Sequence, residues 1–145
     1  MKDAVKACKE IGLDWLEPTG SGTPSDYTNF IVLEDTPTLH HVIVCTLCSC
    51  YPFSILGLSP SWYKSNEYRA RVVRDPRGVL KEFGVKLDDK TQVRVWDSTS
   101  ERRYLVVPER PKGVEEWDEE ALATLVTRNS MIGAERDLSA KRAVA

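Results

Sequence analysis

Two short runs of apolar, mostly β-branched residues in the first half of the chain predict β-strands. They lie at residues 30–33 and at Leu39–Val44, and the polar, turn-like segment EDTPT separates them. Valine and isoleucine fit the pleated, half-buried surface of a sheet, and runs of this length are typical of strands. The second strand ends immediately before an unusual group of cysteines.

Two later runs, QVRVW and RYLVV, alternate or remain apolar over the length of a strand. Only the polar segment DSTSER separates them, and a short polar connection between two strands is typical of a hairpin. We therefore expect an antiparallel pair of strands that spans residues 92–107.

Capping residues mark the starts of the predicted helices. Ser59 and Asp75 are each followed by a proline, which favours the first turn of a helix, and they predict helices over residues 61–73 and 77–83. Asp118, followed by two glutamates, predicts the start of a last helix. Two strand pairs and three or four helices predict an α+β fold.

The length and composition indicate one folded domain. At 145 residues, of which 41 % are hydrophobic, the chain is large enough for a single core. The segment EPTGSGTPSD concentrates proline, glycine, serine and threonine, which predicts a flexible connection. We expect an N-terminal arm and linker at residues 1–26 and a metal-binding, catalytic domain at residues 27–145.

Charge and hydropathy exclude several classes of partner. The net charge of −2 at pH 7 is spread along the chain without a basic stripe, which argues against nucleic acid. No run approaches the about 18 apolar residues that a membrane-spanning helix needs. The opening residues MKDAVKACKE carry charges where a signal peptide has its apolar segment. We expect a cytoplasmic protein with no membrane and no nucleic-acid partner.

Three of the four cysteines lie within six positions. Cys45, Cys48 and Cys50 form a C-x2-C-x-C group, whereas Cys8 stands alone. In a reducing compartment this grouping favours metal or redox chemistry over a disulfide framework. A structural zinc site normally takes four side-chain ligands, and no second pair follows at a suitable spacing. A non-catalytic zinc-binding module is one alternative.

The loop also offers main-chain ligands. If it wraps one ion, the peptide nitrogens of Ser49 and Cys50 lie between the thiolates of Cys48 and Cys50 at chelating distance. With the third sulfur this makes five ligands. An amide nitrogen gives up its proton only to a strongly Lewis-acidic centre, so this set favours a trivalent, low-spin transition metal over zinc. The sixth position stays open for water or substrate, as a catalytic metal site requires.

The segment VCTLCSCYP resembles the metal-binding loop of nitrile hydratase α subunits. The resemblance covers residues 42–133 and continues through LGLSPSWYKSNEYRARVVRDPRGVLKEFG, VRVWDSTSERRYLVVPERP and LVTRNSMIG. It implies a layered α/β fold with a short N-terminal arm and a cysteine claw loop, residues 45–50, at the interface with a partner. The activity that it implies is the addition of water to a nitrile, which gives the amide.

The resemblance implies a role for the residues of the claw loop. Cys45 would be the axial thiolate, Cys48 and Cys50 the equatorial sulfurs, and Ser49 and Cys50 the donors of main-chain nitrogen ligands. Cys48 and Cys50 would also be the catalytic residues, oxidised to sulfinate and sulfenate respectively. Thr46, where iron-type members carry serine, implies Co(III) as the cofactor, with Fe(III) as the alternative.

The resemblance also implies partners and a substrate. The oxidised loop is strongly anionic and needs facing cations, which in this family are arginines from one or two β-type subunits. Only 44 residues precede the loop, which is similar to three-component members such as toyocamycin nitrile hydratase. Phe53 stands where tryptophan is usual and would line the substrate pocket. Its smaller ring predicts a bulky, heteroaromatic nitrile, and simple core packing of Phe53 is the alternative.

Two groups of residues after the loop have competing interpretations. We expect the arginines to line a solvated or interface face rather than to reach the claw loop: Arg69, Arg71, Arg74 and Arg77. We expect the aromatic residues to pack in the core or at an interface rather than to contact substrate: Trp62, Tyr63 and Tyr68. The closest alternative enzyme is thiocyanate hydrolase, whose metal-bearing subunit has a similar cobalt loop.

Overall fold

The structure is a computed structural model that describes residues 2–3, 29–48, 50–136 and 138, with side chains from residue 29 onward. The strands are β1 (Lys2–Asp3), β2 (Asn29–Glu34), β3 (Leu39–Val44), β4 (Gln92–Asp97) and β5 (Arg102–Val107). The α-helices are α1 (Phe53–Leu56), α2 (Asn66–Arg74), α3 (Pro76–Glu82) and α4 (Glu119–Ala123), and short 3₁₀ helices lie at Ser61–Lys64 and Ser130–Ile132.

The strands form two small sheets with parallel pairing at their centres. β2 pairs in parallel with β5, and β1 adds to the other edge of β2 in the antiparallel direction. β3 pairs in parallel with β4, in a register that places Val44 opposite Asp97. Parallel strands need a long crossover, and the helices α1, α2 and α3 between β3 and β4 supply it.

The predicted antiparallel pair at residues 92–107 is therefore wrong in its pairing, although both strands exist where they were expected. β4 and β5 belong to different sheets. Alternation and a short connection identify strands, but they do not specify a partner. β3 is buried along almost its whole length, which is typical of a parallel strand covered on both faces, and it takes β4 as its neighbour.

The hydrophobic core lies between β3, the helices of the crossover and β5. Its fully buried side chains come from β3, the two 3₁₀ helices, α2, α3 and β5: Val42, Ile43, Val44, Tyr63, Val72, Leu80, Val106 and Ile132. A second, smaller cluster lies under α4 and contains Val114, Leu125 and Leu138. Because β3 runs through the main core, the residue that follows Val44 leaves the strand from a rigid, buried position.

Two of the three predicted helix starts are confirmed. The Asp75 side chain accepts a hydrogen bond from the main-chain nitrogen of Gly78 at 2.9 Å, and Asp118 accepts one from Ala121 at 2.8 Å. The single helix predicted after Ser59 is wrong. The chain forms a 3₁₀ helix that stops at Ser65, because this second serine is itself an N-cap and accepts from the nitrogen of Tyr68 at 3.1 Å.

Some predictions fall wholly or partly outside the described residues. The boundary at residue 26, Cys8 and the end of the chain after residue 138 all lie there. The division into an arm at residues 1–26 and a domain at residues 27–145 therefore stays a prediction. None of the helices in the described ranges combines the length and apolar character needed to cross a bilayer.

Candidate metal centre

The claw loop connects the buried end of β3 to α1. Cys45 and Cys50, at its two ends, are buried, whereas Thr46, Leu47 and Cys48 are exposed. Ser49 lies outside the described residues, so its predicted role as a main-chain ligand stays a prediction. The buried ends hold the loop in place, and its middle faces outward, where a partner or a substrate can reach it.

The three sulfur atoms converge as the spacing predicted. The Sγ atom of Cys48 lies 3.2 Å from that of Cys45 and 2.9 Å from that of Cys50, and all three lie within 4.8 Å of one another. Two sulfurs bound to one ion at about 2.3 Å would be about 3.3 Å apart at a right angle and about 3.8 Å apart in a tetrahedron. The two distances to Cys48 Sγ are shorter than both values and lie nearer to the right-angled one.

No fourth side-chain ligand completes this cluster in the described parts of the chain. The neighbouring histidines are turned elsewhere, because the Nδ1 atoms of His40 and His41 lie 2.6 and 3.1 Å from carboxylate oxygens of Asp35. The sulfurs fit a metal ion, and the remaining ligands must come from the main chain, solvent or another chain. This donor set suits a soft transition metal with an open position rather than a closed structural zinc site.

The Cys50 thiol needs positive charge beside it before it can act as a thiolate. Burial raises the pKa of the Cys50 thiol to about 12, the hydrogen bond with Cys48 adds to this rise, and the positive charge of Arg103 opposes it. At neutral pH the thiol therefore stays protonated unless a cation binds beside it. A metal ion supplies such a cation, and Arg103, on β5, is a cation within this chain that also acts on the site.

Asp97 holds the first part of the claw loop. Its carboxylate accepts hydrogen bonds from the main-chain nitrogen of Thr46 at 2.9 Å and from the Thr46 hydroxyl at 2.5 Å. The parallel register of β3 and β4 brings Asp97 beside the loop, since it pairs with Val44. Sequence reasoning missed Asp97, because its approach to the loop depends on a strand pairing that the spacing did not reveal. A serine at position 46 could make the same two bonds, so this geometry does not select a metal.

The aromatic residues pack in the core and also support the loop. The Tyr63 hydroxyl donates to the main-chain oxygen of Cys50 at 2.9 Å, and the Tyr68 hydroxyl donates to that of Ile43 at 2.6 Å. Trp62 packs edge to face against Tyr68, with ring centroids 4.9 Å apart. The prediction of packing is confirmed. The two hydroxyl contacts, which fix the main chain before the loop and at its last residue, were not foreseen.

One of the four arginines does reach the claw loop, contrary to the expectation. Arg69 Nη1 donates to the main-chain oxygen of Cys48 at 3.0 Å. The others point elsewhere: Arg71 pairs with the exposed Glu82 at 2.6 Å, Arg77 donates to main-chain oxygens near residue 90, and Arg74 is exposed. The expectation failed for Arg69 because it lies on the first turn of α2, directly against the loop.

Apolar side chains are exposed in and after the claw loop. Phe53 is 72 % exposed and Leu47 is 89 % exposed, so the alternative of core packing for Phe53 is wrong in this chain. A cavity of about 430 Å³ lies beside the loop and is lined by Thr46, Asn66, Arg69, Ala70, Val73 and Arg74. A larger cavity of about 500 Å³ between β5 and α4 includes no residue of the loop.

Comparisons with known proteins find similar chains over most of this sequence. The family model for the nitrile hydratase alpha chain matches residues 1–135. The gamma subunit of thiocyanate hydrolase from Thiobacillus thioparus is 55 % identical over 135 residues, which are 92 % of this chain and 56 % of that protein. The alpha subunit of the low-molecular weight cobalt-containing nitrile hydratase from Rhodococcus rhodochrous is 51 % identical over 133 residues. These residues are 92 % of this chain and 60 % of that protein.

A solved structure extends the comparison to the fold. A double mutant of the Fe-type nitrile hydratase from Comamonas testosteroni Ni1 matches with a TM-score of 0.80 and 47 % identity, over 93 % of this chain and 62 % of that chain. The family resemblance and the layered α+β fold expected from the sequence are confirmed. This chain spans less than two thirds of the length of each of these proteins.

Proposed function

We propose that this chain, which belongs to the nitrile hydratase alpha chain family, carries the metal centre of an enzyme that adds water to a nitrile and releases the amide. The observation that carries this proposal is the convergence of three sulfurs within 4.8 Å of one another, with no fourth side-chain ligand in the described ranges. Such a centre keeps a position open for chemistry.

The claw loop would hold Co(III) through the sulfurs of Cys45, Cys48 and Cys50 and the main-chain nitrogens of Ser49 and Cys50. When bound, the trivalent ion acts as a Lewis acid that polarises the nitrile and stabilises the charge developing on its nitrogen. Thr46 and the cobalt-containing relative support cobalt, whereas the match to an Fe-type enzyme keeps Fe(III) as the alternative. Oxidation of Cys48 to sulfinate and of Cys50 to sulfenate belongs to the same proposal.

Cys50 is the candidate base or nucleophile. If its sulfur carries an oxygen atom, that oxygen would accept a proton from the attacking water or attack the nitrile carbon itself. Tyr63 contributes by fixing the main-chain oxygen of Cys50 at 2.9 Å, which limits rotation at this end of the loop. The buried setting of Cys50 keeps bulk water from competing for its acceptor positions.

One or two β-type subunits would complete the site. The exposed Leu47 and Phe53 are apolar, and large exposed apolar side chains near a site are typical of a surface that another chain or a ligand covers. The partner arginines would add to the positive charge that Arg103 already brings to Cys50. Phe53 would contact the substrate, and we propose a bulky heteroaromatic nitrile because its ring is smaller than the usual indole.

Hydrolysis of thiocyanate is the second candidate activity. The gamma subunit of thiocyanate hydrolase is 55 % identical to this chain over 135 residues. Both activities need the same three sulfurs, so the claw loop does not distinguish them. A substrate comparison does: the complex should hydrate nitriles, with heteroaromatic ones turned over faster than small aliphatic ones. Turnover of thiocyanate without turnover of any nitrile would replace the first candidate by the second.

The experiment that tests the centre itself is mass and metal analysis of the chain produced together with its partner subunits. We expect about one cobalt per chain and three added oxygen atoms on the peptide that contains Cys48 and Cys50. Tightly bound zinc with unmodified thiols would contradict the proposal and favour a non-catalytic zinc-binding module. If the chain holds iron in place of cobalt, the proposed reaction still stands and Fe(III) replaces Co(III) as the proposed cofactor.

A further inference from the structure

Arg69 makes a contact with the claw loop that the family resemblance did not suggest. Its Nη1 atom donates to the main-chain oxygen of Cys48 at 3.0 Å, and its Nη2 atom donates to Asn66 Oδ1 at 2.9 Å. Asn66 is the first residue of α2, and Ser65 caps this helix. The guanidinium is therefore held from two sides and presents a fixed donor to the loop.

The oxygen that Arg69 contacts belongs to a particular peptide unit. The carbonyl of Cys48 and the nitrogen of residue 49 form one planar amide, in which resonance couples the oxygen and the nitrogen. Under the proposed function this nitrogen binds the metal as an anion, and resonance then places part of the negative charge on the Cys48 oxygen. A hydrogen bond from a charged donor to such an oxygen is about twice as strong as one between neutral groups.

The setting of Arg69 holds its guanidinium in one position. The residue is partly buried, and its Nε atom is fully buried with no hydrogen-bond partner among the described residues. The contact with Cys48 is itself exposed, so solvent screens the charge of Arg69 in part, and its effect depends on the fixed position of the guanidinium. Arg71, two residues along the same helix, is exposed and pairs with Glu82, so it has no comparable effect on the loop.

We infer that Arg69 is a positioning residue that stabilises the metal-binding form of the claw loop, by fixing the Cys48 peptide unit and balancing the charge on its oxygen. This inference rests on the proposed function. It assigns to the chain itself part of the charge compensation that the resemblance assigned entirely to a partner. Loss of such an outer contact typically weakens metal binding about 10- to 100-fold.

The test compares three variants in the chain produced with its partner subunits: Arg69→Gln, Arg69→Lys and the matched control Arg71→Gln. Cobalt per chain is measured after dialysis against a chelator, together with the sulfur-to-metal absorption band. We expect Arg69→Gln to retain at least about tenfold less cobalt and to show a shifted band, because the charged donor is lost. Arg69→Lys should recover part of the cobalt and part of the band position, and Arg71→Gln should match the parent protein in both measurements.

A structural role for Arg69 predicts a different result. If Arg69→Gln lowers the unfolding midpoint of the metal-free chain as much as that of the loaded chain, the residue serves the fold and the inference is wrong. Parent-like cobalt retention and an unchanged band in Arg69→Gln would also overturn it. Failure of the proposed function has a separate signature, since the parent protein itself would then hold zinc or no metal.

Discussion

The two ends of β3 differ in how their buried polar groups are satisfied. Before and at the start of the strand, Asp35 contacts the rings of His40 and His41 and accepts a hydrogen bond from the main-chain nitrogen of His41 at 2.8 Å. Arg136 lies 3.7 Å from the same carboxylate and pairs with Glu109 at 2.5 Å. Every one of these side chains has a partner within the chain.

The other end of β3 enters the claw loop, and there the chain leaves donors without acceptors. Arg69 Nε, Arg103 Nη1 and the Tyr51 hydroxyl are buried and have no hydrogen-bond partner in the described ranges. Buried polar groups are nearly always paired in native proteins, so each exception needs an explanation. The polar groups at the start of β3 are satisfied by groups that the chain contains, whereas those near its end include buried donors with no partner among the described residues.

Replacing Asp35 by alanine should produce the largest effect on the fold. The variant leaves His40 and the main-chain nitrogen of His41 buried without their acceptor, so we expect the free energy of unfolding to fall by about 3–5 kcal/mol. Urea denaturation of the metal-free chain measures this, with the exposed neighbour variant Glu34→Ala as the control. Equal stability of the two variants would contradict the assignment of this end of β3 to folding.

Replacing Cys48 by alanine should affect metal binding and leave the stability of the fold unchanged, in contrast to the change at Asp35. We expect cobalt per chain to fall at least about 100-fold, because the loss of a direct ligand should exceed the effect of losing an outer contact. Cys48 is exposed, so the free energy of unfolding of the metal-free chain should change by no more than about 0.5 kcal/mol. Metal analysis and urea denaturation give the two values. Retention of cobalt in this variant would remove Cys48 from the ligand set.

The comparison of the two ends also explains which features the sequence could predict. The apolar runs at β3 and β5 identified strands, because burial of valine and isoleucine is a local property of the sequence. The strands with which they pair could not be predicted, since parallel pairing depends on a crossover through the helices and on the whole core. The same limit hid Ser65, whose capping role depends on where the preceding 3₁₀ helix stops.

The candidate site also combines features that are local in the sequence with contacts that are not. Three cysteines within six positions must lie close together whatever the rest of the chain does, so their convergence was predictable. Asp97 and Arg69 reach the loop from 51 and 21 positions away along the chain, through a strand pairing and a helix start. No local pattern marks such contacts. Sequence reasoning thus found the sulfur cluster and missed the residues that contact its loop.

Replacing Asp97 by alanine should weaken the metal centre with little effect on the fold. Both Thr46 donors lose their acceptor, and we expect cobalt retention against a chelator to fall about tenfold, as for other outer contacts. Asp97 is exposed, so stability should change by less than about 1 kcal/mol. The exposed acidic variant Glu116→Ala serves as the control. Equal cobalt retention in the two variants would show that the loop holds its shape without Asp97.

The smallest effect is expected from Thr46→Ser, and it addresses the choice of metal. Serine keeps both the main-chain nitrogen and a hydroxyl that can donate to Asp97, so cobalt retention should stay within about twofold of the parent protein. Thr46→Val removes the hydroxyl, so its cobalt retention should lie between that of the parent protein and that of Asp97→Ala. Metal analysis after growth with cobalt and iron supplied together measures the cobalt and the iron held by each variant. If Thr46→Ser instead takes up iron, the threonine methyl group selects the metal, and the hydrogen bond to Asp97 only holds the loop.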